Sequence, residues 1–147
     1  MKWLGLLLFC ALPAFAQWQL VGQGRYQYLF WDLYQARYYR SDQGQALALR
    51  YLKHFDADDI VSQTGKEWRH LGLFNPDWLA WFQAHCPNVR KGDELRLEVL
   101  PSQSRLYFNG TLVATNGSPG FGPAFLAIWL SPETRAPGLR KALLGKE

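Results

Sequence analysis

The chain has 147 residues, 16 Lys and Arg against 12 Asp and Glu, and 48% hydrophobic residues, including 7 Trp, 7 Tyr and 9 Phe. The formal charge of +4 is spread between acids with no basic stripe, which excludes a nucleic-acid binding surface. The length supports one domain with a substantial core, and nothing in the chain repeats or falls to low complexity.

Residues 1–16 read as a secretory signal. Lys2 supplies the positive start, Trp3 to Leu12 the apolar run, and Ala14-Phe15-Ala16 a small-x-small cleavage site before Gln17. The apolar run is too short to span a bilayer as a stable helix. The expected product is therefore an exported, periplasmic or secreted domain of residues 17–147, monomeric and without stable membrane insertion. Cleavage removes Cys10 and leaves Cys86 alone, so no intramolecular disulfide forms and packing must hold the fold.

From Leu20 to about Arg40 the pattern predicts two long strands, or one strand broken by a bulge. Apolar side chains fall on both parities there, the mark of a sheet covered on both faces. Ser41 to Gly44 is a turn, and Ala46 to Phe55 a third strand with Arg50 outward. The period then changes. Asp56 is placed as an N-cap, Asp58 and Asp59 suit the positive end of a helix dipole, and Ile60, Val61, Thr64, Trp68 and Leu71 form one face up to Gly72. A second helix opens at Asn75 with Pro76 in its first position, carries Trp78, Leu79, Phe82 and Cys86, and stops at Pro87.

Glu94 to Leu100 alternates charged and aliphatic residues, as a half-buried strand does. Arg105 to Phe108 and Thr111 to Ala114 flank Asn109-Gly110, a strong hairpin signal. Gly117 to Pro123 reads as a loop, either a connector or the rim of an entrance. Ala124 to Leu130 is apolar all round, hence buried, and short enough to be helix or strand. Pro137 opens a last helix with Leu139, Ala142 and Leu143 inward. Strands, two helices, strands and a helix make an α+β domain with helices on one face of a mainly antiparallel sheet.

Five segments carry a family resemblance: Gly22-x-Gly24-Arg25; Leu33-Tyr34-Gln35-Ala36-Arg37-Tyr38-Tyr39; Tyr51 to Val61; Phe121 to Leu130; and Leu139 to Gly145. In this order and spacing they resemble the chalcone isomerase fold, in particular its small exported bacterial chalcone isomerase-like branch. The resemblance implies two functions. The plant isomerases hold a flavonoid with an arginine on an early strand and a threonine on the next. Their fatty-acid-binding relatives keep the arginine and replace the threonine by a tyrosine, and that pair grips a carboxylate. Arg25 matches the arginine and Tyr34 the tyrosine. The helix from Asn75 to Asn88 has no counterpart of the isomerases' downstream tyrosine and asparagine, which turns the reading away from an enzyme.

The expected ligand is thus a fatty acid or similar amphipathic carboxylate, with Arg25 and Tyr34 on its head and Tyr28, Tyr38, Tyr39 and Phe125 as further lining. The alternatives are an isomerase closing a ring on an enone, with Arg25 stabilising the enolate, and a structural or interaction domain without a pocket. Arg25 has its own structural role in view, a pairing with Asp32. The two residues lie nine apart, so on an unbroken strand they point to opposite faces and need a bulge or turn to meet. No cofactor is implied, and His54, His70 and His85 lack metal-ligand spacing.

Overall fold

The computed structural model describes residues 17–146, so the signal expected over residues 1–16 lies outside the described residues. Six strands, β1 (Gln19–Tyr28), β2 (Trp31–Ser41), β3 (Gly44–Tyr51), β4 (Glu94–Val99), β5 (Ser104–Phe108) and β6 (Thr111–Asn116), form one sheet. It is an antiparallel meander in the order β1-β2-β3-β4-β5-β6. Helices α1 (Ala57–Leu71) and α2 (Pro76–His85) enter between β3 and β4, and α3 (Phe121–Leu130) and α4 (Pro137–Leu143) follow β6. The α+β class and the helices on one face are as the sequence implies.

The core lies between the helices and the inner sheet face, where Leu47, Leu49, Leu95, Leu97 and Leu106 meet Trp68, Phe82, Phe121 and Phe125. Trp68 is fully buried, and its indole N–H donates to the Ala124 carbonyl at 2.9 Å, so burying the ring leaves no polar atom unpaired. The expectation of a second covering layer does not hold. Tyr39, Arg37, Arg50 and Arg96 lie on the outer face, where the Arg96 guanidinium stacks 5.1 Å from the Tyr39 ring and 5.4 Å from Trp18. Aromatics of that parity pack under arginine stems instead of under helices.

Gly22 and Gly24 explain how the last helix docks. A methyl group at Gly22 would fall on the Ala142 carbonyl, and one at Gly24 would press on Leu139 and Ala142. The Gly22-x-Gly24 pair therefore lets α4 lie against β1 and is a packing device.

Local signals mostly hold. Asn75 caps α2 by accepting from the backbone N–H of Asp77 and Trp78, and Gly72 closes α1 in the left-handed conformation at φ 71°. Asp56 sits at the α1 N-cap without a side-chain cap bond. Its carboxylate meets His54 Nε2 at 2.9 Å, and the Ala57 N–H donates to Asn88 instead. The third strand ends at Tyr51: Leu52 still donates to the Leu33 carbonyl, but the chain bends at Leu52 and Lys53, and Phe55 bridges Val89 instead. Residues 121–123, read as loop, are the first turn of α3, a helix buried on nearly every side.

The β1–β2 turn is Leu29-Phe30, with Leu29 at φ 55°. For a bulky residue this left-handed conformation costs about 1–2 kcal/mol. Nothing buries either side chain: Leu29 is 77% and Phe30 100% exposed.

Candidate functional site

Between the sheet and the helices lies a cavity of about 500 Å³. Its floor comes from β1, β2 and β3, and its walls from α1, α3 and the α3–α4 connection. Phe82, Phe125, Ile128 and Leu49 make most of it apolar. That size is within the roughly 300–1,000 Å³ of small-molecule sites.

Across the floor runs one row of phenols. Tyr26 pairs with Tyr34, and Tyr34 with Tyr51, so strand register puts the three side by side on the inner face. The Tyr26 and Tyr34 rings stack at 5.1 Å, and Tyr51 meets Tyr34 edge-on at 5.8 Å. Trp129 on α3 donates its indole N–H to the Tyr34 oxygen at 2.7 Å. With that oxygen accepting, the Tyr34 proton points elsewhere and needs an acceptor. Burial pushes the Tyr34 and Tyr51 phenols well above their ordinary value, so both are neutral donors at any physiological pH. Tyr26 is raised too, first by burial and then by the nearby Glu67 carboxylate.

At the mouth, Glu67 accepts from Gln63 Nε2 at 2.9 Å, and the Arg135 guanidinium stands 3.7 Å from it. Glu67 is largely buried, while Arg135, on the α3–α4 connection, keeps half of its side chain in solvent. Lys66 and Asp59 complete the charged rim. Two cations against two anions leave the mouth formally neutral, with Arg135 as the cation best placed to turn inward.

Arg25 does not reach this cavity. It pairs in register with Gln35, one residue off the Tyr26–Tyr34 row, so it projects from the outer face. There it donates to Asp32 Oδ2 at 3.0 Å, with its side chain 61% exposed. The hydrogen bond from Gln27, followed by that from Arg25, holds the Asp32 carboxyl below its usual range. The β1–β2 pairing carries register shifts at Val21 and at Leu33; the one at Leu33 turns that residue toward the cavity and moves Arg25 from opposite Tyr34 to opposite Gln35, which puts it outside. The expected Arg25–Tyr34 clamp is thus corrected: the two side chains lie on opposite faces, and Arg25 cannot stabilise an enolate in the cavity.

Of the other expected lining residues, Tyr28 and Phe125 stand in the cavity wall. Tyr38 and Tyr39 do not. Tyr38 is buried near the far end of β2, hydrogen-bonded to Gln45 and Arg40, and Tyr39 faces outward under Arg96. Residues 117–123 take no part in the rim. Tyr26, Tyr51, Glu67 and Arg135 were missed. For Tyr51 the signal was present in the turn length: pairing across the Asp42-Gln43 turn sets Tyr51 opposite Tyr34, whereas Tyr26 reaches Tyr34 only through the bulge in the β1–β2 pairing.

Each histidine has its own partner, Asp56 for His54, the Glu133 carbonyl for His70 and the Trp81 carbonyl for His85. Among the described residues no group of His, Cys, Asp and Glu is placed to hold a metal ion. Cys86 is buried, and burial pushes its thiol up to about 12, so it is an inert core residue.

No family model matches the sequence. An uncharacterised protein of Haemophilus influenzae is 26% identical over 151 aligned positions, covering 96% of this chain and 75% of that protein. Among solved structures, a fatty-acid binding protein of Arabidopsis thaliana superposes with a TM-score of 0.71 at 14% identity, covering 87% of each chain. With a six-stranded antiparallel meander, helices on one face and an aromatic cavity between the layers, this chain has the chalcone isomerase-like fold.

Proposed function

We propose that this protein binds a fatty acid or a similar amphipathic carboxylate in the cavity between sheet and helices, as an exported carrier and not as an enzyme. The observation that carries the reading is the Tyr26–Tyr34–Tyr51 row, whose central oxygen already accepts from Trp129, which leaves its proton available to donate to a bound acceptor. A carboxylate is an acceptor-only group, which suits a site built from neutral donors. The apolar interior would wrap the chain, and Arg135 would leave Glu67 to meet the head group with its planar fork. The fatty-acid binding neighbour supports the same ligand class.

The test is mass spectrometry of organic extracts from the purified protein, followed by titration with a long-chain fatty acid and its methyl ester. The acid is expected to bind at least about tenfold more tightly than the ester, the equivalent of one charge-assisted hydrogen bond. Arg135→Gln and Tyr34→Phe each weaken the acid, whereas Arg25→Gln changes nothing. Equal binding of acid and ester by every variant overturns the carboxylate reading. Sensitivity to Arg25→Gln alone would place the ligand on the outer face.

A further inference from the structure

The β1–β2 tip strings four large apolar residues together in water: Tyr28, Leu29, Phe30 and Trp31 are 59%, 77%, 100% and 57% exposed. Hairpin tips face solvent and normally carry Gly, Asn or Asp, which also tolerate the left-handed backbone that Leu29 adopts here at φ 55°. The core gains nothing from Leu29 or Phe30, so the fold does not account for them.

The tip is layered. Leu29 and Phe30, wholly apolar, form the apex. Tyr28 and Trp31, aromatic with one polar edge each, stand behind it. Behind them are charges: the Lys53 ammonium lies 3.6 Å over the Trp31 ring, and Arg25 pairs with Asp32. Arg25 and Lys53 against Asp32 leave one net positive charge at the tip. An apolar apex, amphipathic aromatics and then cations match the order of acyl chain, interface and anionic head group in a lipid leaflet. A protein partner fits less well, because a stable interface takes about 20 residues a side and four at a turn fall short.

We propose that this hairpin tip docks on the surface of an anionic lipid bilayer, with Leu29 and Phe30 entering the boundary between head groups and acyl chains. The docking is shallow and reversible: among the described residues no helix is long and apolar enough to cross a membrane. Tyr28 belongs both to the tip and to the cavity wall, so docking sets the cavity beside the leaflet. A poorly soluble amphiphile then passes between membrane and cavity over one tyrosine.

Co-sedimentation with vesicles tests this, using phosphatidylcholine alone and phosphatidylcholine mixed with phosphatidylglycerol, and protein without added fatty acid. The native chain is expected to partition onto the anionic vesicles, and brominated acyl chains to quench its Trp fluorescence less in Trp31→Tyr. The double variant Leu29→Asn with Phe30→Gly, which installs the Asn-Gly turn of the β5–β6 hairpin, should lose about tenfold or more of the partitioning with its melting temperature kept or raised. Lys53→Gln should lose about fivefold on anionic vesicles alone. Absence of native partitioning, or partitioning unchanged in the double variant, overturns the proposal. So does a concentration-dependent dimer that the double variant abolishes without any vesicle binding, which hands the tip to a second copy of this chain. Vesicle binding is read without ligand, so its failure and that of the carboxylate reading are separate results.

Discussion

The β1–β2 and β5–β6 hairpins each turn through two residues and solve the turn in opposite ways. At the β5–β6 turn, Asn109 and Gly110 take φ of 48° and 81°, which these residues accept at little cost. Asn109 is then tied down: its side-chain oxygen accepts from the Glu94 N–H at 2.8 Å, and its amide donates to Asp93 at 3.1 Å. At the β1–β2 turn Leu29 bears the positive φ, Phe30 is bare, and Asp32 is the nearest polar anchor, held by Gln27 and Arg25. The first turn is chosen for the stability of the fold. The second gives up stability and solubility at a point beside the cavity, which is where a protein spends them on contact with something else.

Moving each turn onto the other hairpin breaks this contrast. Asn109→Leu with Gly110→Phe should cost about 3 kcal/mol, from two strained residues and the lost Asn109 bonds, read as a fall in the urea midpoint. The reverse exchange, Leu29→Asn with Phe30→Gly, should stabilise by about 1 kcal/mol as the strain at Leu29 is relieved. A destabilising result there would show that the exposed pair supports the fold. Lys53→Ala removes an exposed stacking contact on Trp31 and should cost only about 0.5 kcal/mol in thermal melts.

The smallest effect concerns acid. Asp93 is held below the usual carboxylate range by the Arg90 N–H and then by Asn109, and Asp32 by Gln27 and then by Arg25. A depressed folded value means the carboxylate contributes stability above its unfolded value, about 3.9, and loses it as the pH falls through the folded value. The gap in urea midpoint between native protein and Asp93→Asn, or Asp32→Asn, should therefore close as the pH drops from 6 to 3. A gap that widens toward acid would reverse the sign and the assignment.

How far the sequence could be read follows from the range of each interaction. Pro76 after Asn75, Gly72 after Leu71 and Asn109-Gly110 are signals that act within a turn, and the backbone obeys them. The outer-face aromatics and the start of α3 escaped, because alternation says which residues share a face and not what covers it. Arg25 was placed by its resemblance to a motif. Counting register from the Leu29-Phe30 turn would set it opposite Tyr34 as well; only the bulge at Leu33, which no local pattern announces, moves it beside Gln35 and off the Tyr34 row.

The sequence by itself determined the α+β class, the Gly72 and Asn75 caps of α1 and α2 and the Asn109-Gly110 hairpin, since capping, periodicity and turn chemistry are local. Only the tertiary structure decided which polar groups face the cavity. Strand register lines up Tyr26, Tyr34 and Tyr51, and a helix 95 residues along the chain brings Trp129 to the Tyr34 oxygen. A connection at Arg135 faces Glu67 across the mouth, while one step of strand alternation sends Arg25 to the other side. Such contacts depend on distances between segments far apart in the chain, which no local pattern encodes.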